Sequence, residues 1–238
     1  MSAAGVAGKN GTLVVFAKDP QPGQVKTRMC PTLSPQRAAD FYCEMLADVL
    51  EDSVRACEQL GLIGVVAVSP SEACASFAKR VPRGFSIVAQ QGPDLGARMG
   101  FEVSRALATG SKRVVLRGSD NPALGCEEIA SVYEALATVD LAVSPDLDGG
   151  YGAIGLRVSA HGVFDHIMST ASVLSETLAR ATSLGLSTST TQGSFDLDCV
   201  EDLCTLASER ARLPEGRCRQ TLAFADAHNL WPTNVGTP

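Results

Sequence analysis

Three cations crowd one short stretch of the chain. Phe16-Ala17-Lys18-Asp19-Pro20-Gln21-Pro22-Gly23-Gln24-Val25-Lys26-Thr27-Arg28 follows directly on the apolar run Leu13-Val14-Val15-Phe16. Two prolines and a glycine stop regular structure there and open a shaped loop. Lys18, Lys26 and Arg28 at the end of a buried strand can hold phosphate oxygens. The plain alternative is a set of solvated surface cations. The loop has neither G-x-G-x-x-G nor G-K-[ST], so it is neither a dinucleotide fingerprint nor a Walker loop.

Carboxylates recur in the other loops that follow strands. Arg117-Gly118-Ser119-Asp120-Asn121-Pro122-Ala123-Leu124 sets Asp120 between glycine and proline, where it can project into a cleft. A hard cation, Mg²⁺ or Mn²⁺, takes such an oxygen together with phosphate oxygens; an Asx turn is the alternative. In Asp146-Leu147-Asp148-Gly149-Gly150-Tyr151-Gly152 the paired Gly149 and Gly150 either admit a substrate close to the backbone or simply turn the chain. Asp148 is then a substrate contact or a turn residue. In Phe195-Asp196-Leu197-Asp198 the two aspartates share a face if the stretch is extended. Asp198 also has the spacing to Glu201 of a capping box. In Gln90-Gln91-Gly92-Pro93-Asp94-Leu95-Gly96-Ala97-Arg98 the Gln90 amide could read a base edge, and Arg98 could reach a phosphate or pair with an acid.

These loops need a frame, and the chain alternates strand and helix patterns almost to its end. Strands are expected at Leu13–Ala17, Ile63–Val68, Ser86–Ala89, Arg113–Leu116, Leu141–Ser144, Tyr151–Leu156 and Leu186–Thr190. Helices are expected from Ser34-Pro35 to Gly61, from Ser71 to about Arg80, and over Leu95–Ala108, Glu127–Ala137, Ser172–Leu184, Val200–Ala211 and Arg219–His228. The alternation implies α/β architecture: three layers around a mostly parallel, Rossmann-like mixed sheet, with ligands at the carboxyl ends of the strands.

Bulk composition narrows the function. The 238 residues carry a formal net charge of −6 and 45% hydrophobic residues. That excludes a general nucleic-acid or membrane-surface binder, which needs a broad basic face. No apolar run is long enough to span a bilayer. The expected layout is a flexible tail over residues 1–11, one domain over 12–230 and a second tail over 231–238. None of the eight cysteines forms a C-x-x-C pair and no histidine stands nearby at ligand spacing, so a zinc site is not expected. Reduced thiols and a cytoplasmic location are. His161, His166 and His228 are given no chemical role, and whether the chain works as a homodimer is left open.

Taken in order, the loops resemble a bacterial family of GT-A-fold, nucleotide-diphospho-sugar transferase-like proteins of the DUF2064 type. That family stands beside the molybdenum-cofactor and phospholactate guanylyltransferases and the sugar-acid cytidylyltransferases. The pattern F-A-K-x-P-x-P-G-x-V-K-T-R-L appears as Phe16 to Met29, D-L-G-x-R-M as Asp94 to Met99, and G-S-D-x-P-x-L as Gly118 to Leu124. D-G-G-Y-x-x-I-G-L appears as Asp148 to Leu156, and D-x-D-T-P-E-D-L as Asp196 to Leu203 with Cys199-Val200 in place of Thr-Pro. The resemblance implies a nucleotide bound over Phe16, Ala17, Lys18 and Gly23, with Gln90, Arg98 and Ser119 contributing. It implies Asp120 and Asp198 as metal ligands, and Lys26, Arg28 and Asp120 as the catalytic set. Asp148, Gly149 and Gly150 would meet the second substrate. The expected reaction joins an NTP to a phosphorylated or phosphonylated small acceptor with release of pyrophosphate. Glycosyl transfer from an NDP-sugar and non-catalytic nucleotide binding are the alternatives. Arg117, where the family pattern is aliphatic, is expected either to touch phosphate or to pair with an acid.

Overall fold

The computed structural model describes residues 11–159, 161–168 and 170–231. Residues 1–10 and 232–238, where the sequence reading puts most of the two tails, lie outside the described residues. The strands are β1 (Gly11–Lys18), β2 (Ile63–Ser69), β3 (Ser86–Ala89), β4 (Arg113–Gly118), β5 (Leu141–Pro145), β6 (Tyr151–Leu156) and β7 (Thr188–Thr190). The helices are α1 (Pro35–Leu60), α2 (Cys74–Phe77), α3 (Leu95–Ala108), α4 (Cys126–Ala135), α5 (Val173–Ser183), α6 (Asp202–Glu209) and α7 (Arg219–Ala227).

All seven strands join one sheet in the order β3-β2-β1-β4-β6-β5-β7. Only β6 runs antiparallel to its neighbours. The chain leaves β1 toward β2 and β3, then returns to pair β4 with the opposite edge of β1. That reversal opens a crevice at the carboxyl ends of β1 and β4, where open α/β sheets bind ligands.

Period-two alternation divides the strand side chains between two cores. Val14, Val65, Val114, Leu116, Val143 and Ile154 pack under α3 and α5. Leu13, Val115, Ala142 and Ala153 pack under α1 and α4. The result is the α/β/α layering expected from the sequence.

Local chemistry explains the helix ends. The Ser34 hydroxyl accepts from the Arg37 N–H at 3.2 Å, Pro35 opens α1, and Gly61 closes it with φ +64°. Asp94 caps α3 by accepting from the Ala97 N–H at 2.8 Å. Two helices are shorter than expected. The segment after Ser71 is a single 3₁₀ turn followed by the four-residue α2. The last-but-one helix opens at Asp202 rather than Val200.

The C-terminal helices are tied to α1 through one buried acid. Asp48 accepts from the Gln220 N–H, the Thr221 N–H and the Thr221 hydroxyl at 3.0, 2.8 and 2.7 Å. Thr221 is fully buried. Asp48→Ala strands these donors away from water and is expected to cost about 3 kcal/mol of unfolding free energy by denaturant titration.

Candidate functional site

Lys26 sits where the first loop turns into a 3₁₀ turn over Thr27–Met29, in the left-handed region at φ +48°. For a residue with a Cβ this conformation costs about 1–2 kcal/mol, so the surrounding contacts must hold it. Those contacts are two carboxylates. The ammonium is ion-paired with Asp120 and lies 2.8 Å from Asp198 Oδ1. Its side chain is only 2% exposed. Burial disfavours the charged ammonium, but Asp120 and Asp198 outweigh burial and hold the pKa above its usual value.

The two aspartates arrive from distant parts of the chain. Asp120 follows β4 at the crevice. Residues 196–198 run beside it because the Leu197 N–H donates to the Asp120 carbonyl at 3.0 Å. Enclosure by protein works against the charged form of Asp120, but Lys26 and then Lys18 prevail and hold its carboxyl below the usual range. Its side chain keeps 45% of its surface open. Asp198 is not the cap expected from the spacing. The Asp202 carboxylate accepts from the Asp198 and Cys199 N–H groups, both at 2.7 Å, which leaves the Asp198 carboxylate to Lys26 and to Arg28 at 3.6 Å.

Around this cluster opens a cleft of about 470 Å³. Asp120, Asp146, Asp148, Asp196 and Asp198 line it, and so do Phe16, Leu95, Met99, Tyr151 and Met168. Arg28 stands at the cleft with its side chain 70% exposed. Gly150 borders the cleft. Gly149 has φ +89°, and a Cβ on it would overlap the Ala171 carbonyl, so this bend requires glycine. The exposed Asp148 accepts from the Gly150 N–H at 2.8 Å and shapes the same bend.

Other residues expected at the site are committed elsewhere. The Gln90 amide donates to the carbonyls of Ala17 and Ala67 at 3.2 and 2.9 Å, tying the ends of β1 and β2 together. Arg98 donates to the Gly92 carbonyl at 3.0 Å and to the Gln90 side-chain oxygen at 3.5 Å. Neither borders the cleft described above. Ser119 is buried, with its hydroxyl 2.7 Å from the Tyr42 hydroxyl, which also accepts from the Lys18 N–H at 3.0 Å. Ala17 is buried, and Gly23 lies on an exposed turn with φ +75°.

Arg117 meets neither expectation. It is fully buried and donates to the carbonyls of Val49, Asn121 and Leu124 and to the Ser53 hydroxyl at 2.9–3.3 Å. Burial lowers its pKa to about 10. It braces the turn after Asp120 from below, and Arg217 adds a bond to the Ala123 carbonyl at 2.5 Å.

Sequence reasoning gave no role to Asp146 or Asn121. Asp146 follows β5 as Asp120 follows β4, the same signal of an acid at a strand end. It accepts from the Asn121 side-chain amide at 2.6 Å. Burial, then the charges of Asp196 and Asp148, push its carboxyl up to about 8. Burial, then Asp198, Asp148 and Asp202, push Asp196 up to about 7. Both effects favour the protonated form of these two carboxyls.

None of the eight cysteines is in a disulfide. Among the described residues no helix is long and apolar enough to cross a membrane. No group of three His, Cys, Asp or Glu among them converges as a ready metal cage.

The family model of uncharacterized proteins conserved in bacteria, DUF2064, matches residues 50–170. The chain belongs to this family. A Desulfovibrio desulfuricans protein assigned as a candidate nucleotide-diphospho-sugar transferase is 29% identical with a TM-score of 0.78, over 92% of this chain and 96% of that one. A cytidylyltransferase from Leptospira borgpetersenii is 10% identical with a TM-score of 0.54, over 96% and 99% of the two chains. The 4-diphosphocytidyl-2C-methyl-D-erythritol synthase of Anaerococcus prevotii is 11% identical with a TM-score of 0.52, over 85% and 100%. The last two show the shared fold alone. No curated protein matches the chain.

The raised pKa of Asp146 has a signed consequence. The folded state keeps its proton up to about pH 8, whereas the unfolded chain releases it near the ordinary carboxyl value of 3.8. Its contribution to stability is complete below that lower value and is lost as pH rises toward 8. In metal-free buffer, the melting temperature of the wild type is expected to fall more from pH 5 to pH 8 than that of Asp146→Asn.

Proposed function

We propose that the protein is a nucleotide-dependent transferase that moves a sugar from an NDP-sugar donor to a small acceptor. One observation carries this reading: carboxylates from two distant stretches, Asp120 and Asp198, meet the Lys26 ammonium in a cleft at the topological switch point. The Desulfovibrio relative supports sugar transfer. Three cations in the first loop would suit a triphosphate. Lys26 is buried between carboxylates, so less positive charge is open to a triphosphate than that count implies.

Mg²⁺ or Mn²⁺ fits the donor set, because such ions are commonly held by one or two carboxylates together with substrate phosphates rather than by a full protein cage. Asp120 and Asp198 would hold the ion, which would neutralise phosphate charge as the leaving diphosphate departs. Lys26 keeps these two carboxylates together and oriented before any ligand arrives. Arg28 and Lys18 attract the diphosphate at the mouth of the cleft. Asp148, on the exposed bend at Gly149-Gly150, meets a hydroxyl of the acceptor. Preorganised charge supplies most of the rate in such chemistry.

Nucleotidyl transfer from an NTP to a phosphorylated or phosphonylated acceptor is the second reading. The exposed Arg28 beside the end of β1 favours it, since the guanidinium remains within reach of a longer polyphosphate.

Incubation with Mg²⁺ and panels of NDP-sugars and NTPs separates the two. NDP release from a sugar nucleotide is expected; pyrophosphate release from an NTP with none from NDP-sugars would replace the first reading with the second. Asp120→Asn is expected to lower turnover by about a hundredfold or more with an unchanged circular dichroism spectrum. Wild-type turnover in that variant removes Asp120 from the chemistry. Lys26→Ala is expected to lose about as much, because Asp120 and Asp198 then repel each other; a tenfold or smaller loss reduces Lys26 to general charge balance.

A further inference from the structure

Tyr42 is a buried titratable group that the chemistry above does not use. It lies on α1 with 1% of its surface exposed. It belongs to the apolar cluster of Val15, Ala17, Val25 and Val66, where a phenylalanine ring would fill the same space. A hydroxyl buried in such surroundings costs free energy unless it is hydrogen-bonded. This one has two partners. The phenol oxygen accepts from the Lys18 N–H at 3.0 Å and lies 2.7 Å from the Ser119 hydroxyl oxygen.

Those partners stand on opposite sides of a break in the sheet. The ladder between β1 and β4 runs as far as Phe16 and Gly118. On its other side β1 stays paired with β2 as far as Lys18 and Ser69. Past Phe16 and Gly118 the two central strands pair no further, and the cleft opens there. The Tyr42 hydroxyl spans the break from α1. It ties Lys18, the last residue of β1, to Ser119, the residue directly before Asp120. Burial, and then the nearby charge of Asp120, raise the phenol's pKa, so it stays a neutral hydrogen-bonding group near neutral pH.

We infer that Tyr42 is a positioning residue. Its hydroxyl fixes how far the ends of β1 and β4 stand apart, and through Ser119 it sets where Asp120 meets Lys26. Tyr42 does not border the cleft, so it acts through Asp120 rather than on a substrate. The role rests on the transferase reading only in taking Asp120 as part of the chemistry.

Amide hydrogen exchange followed by NMR on the full chain, with no substrate or metal added, tests the bridge in Tyr42→Phe and Ser119→Ala. The Lys18 N–H loses its acceptor in the first variant and reports that bond directly. The decisive amide is that of Leu197, whose acceptor is the Asp120 carbonyl rather than either replaced group. Its exchange is expected to quicken about tenfold or more in both variants, while Val14 and Val115 within β1 and β4 keep their protection. Both variants break one bridge, so the double variant is expected to match the worse single one within about twofold. Leu197 exchange within about twofold of the wild type overturns the inference. So does an equal rise at Val14 and Val115 in both variants, or a double variant in which the two effects multiply. Turnover supplies a second readout: with the nucleotide donor that turns over, Tyr42→Phe is expected to lower kcat about tenfold or more while KM changes less than about threefold. A raised KM with an unchanged kcat overturns the role. The exchange measurement needs no ligand, which keeps the two proposals apart: a chain that shows the Leu197 response but transfers nothing loses the transferase reading and keeps the Tyr42 bridge.

Discussion

The Lys26 ammonium is the point on which the rest of the site depends. It is nearly inaccessible to solvent, sits on a left-handed backbone, and contacts carboxylates separated by 78 positions in sequence (Asp120 and Asp198). An isolated buried ammonium would be expensive, and two facing carboxylates would repel; together each removes the other's cost. The arrangement holds three chain segments at one rim of the sheet: the loop after β1, the loop after β4, and the stretch before α6.

Support for that rim comes from below. Buried arginines rarely exist without several acceptors, and Arg117 and Arg217 find theirs in the carbonyls of the turn after Asp120. Asn121 in the same turn fixes Asp146 and receives the Ser194 hydroxyl at 3.2 Å. The site is therefore positioned by polar contacts to backbone as much as by apolar packing. Its rigid floor carries an acidic cleft in which burial, and then the neighbouring carboxylates, raise the carboxyls of Asp146 and Asp196. Structural strain and perturbed carboxyls concentrated in one place, on a regular scaffold elsewhere, are the signature of a working site.

The strands were legible because buried parallel strands read as short apolar runs, and the long helices because their caps are local. Ser34-Pro35 and Asp94 determine helix starts within a few residues of themselves. The sequence left the answer open where local spacing offered two equally good partners. Asp198 with Glu201 reads as a capping box, yet Asp202 takes the backbone donors and releases Asp198 to Lys26. Arg117 reads as a cation near a ligand loop, yet its side chain turns into the core. Gln90 and Arg98 read as ligand contacts, yet Gln90 donates to carbonyls of β1 and β2, and Arg98 to the Gly92 carbonyl and to Gln90.

By itself the sequence determined the layered α/β class, the order of the loops, and which residue types gather at the strand ends, since all of these follow from local periodicity and turn chemistry. Only the tertiary structure decided which charges face one another. The direction of a side chain at a strand end depends on neighbours far away in sequence. That is why Lys26 could be recognised as a cation of the site, while its burial between Asp120 and Asp198, and the raised carboxyls of Asp146 and Asp196 beyond it, had to be seen in three dimensions.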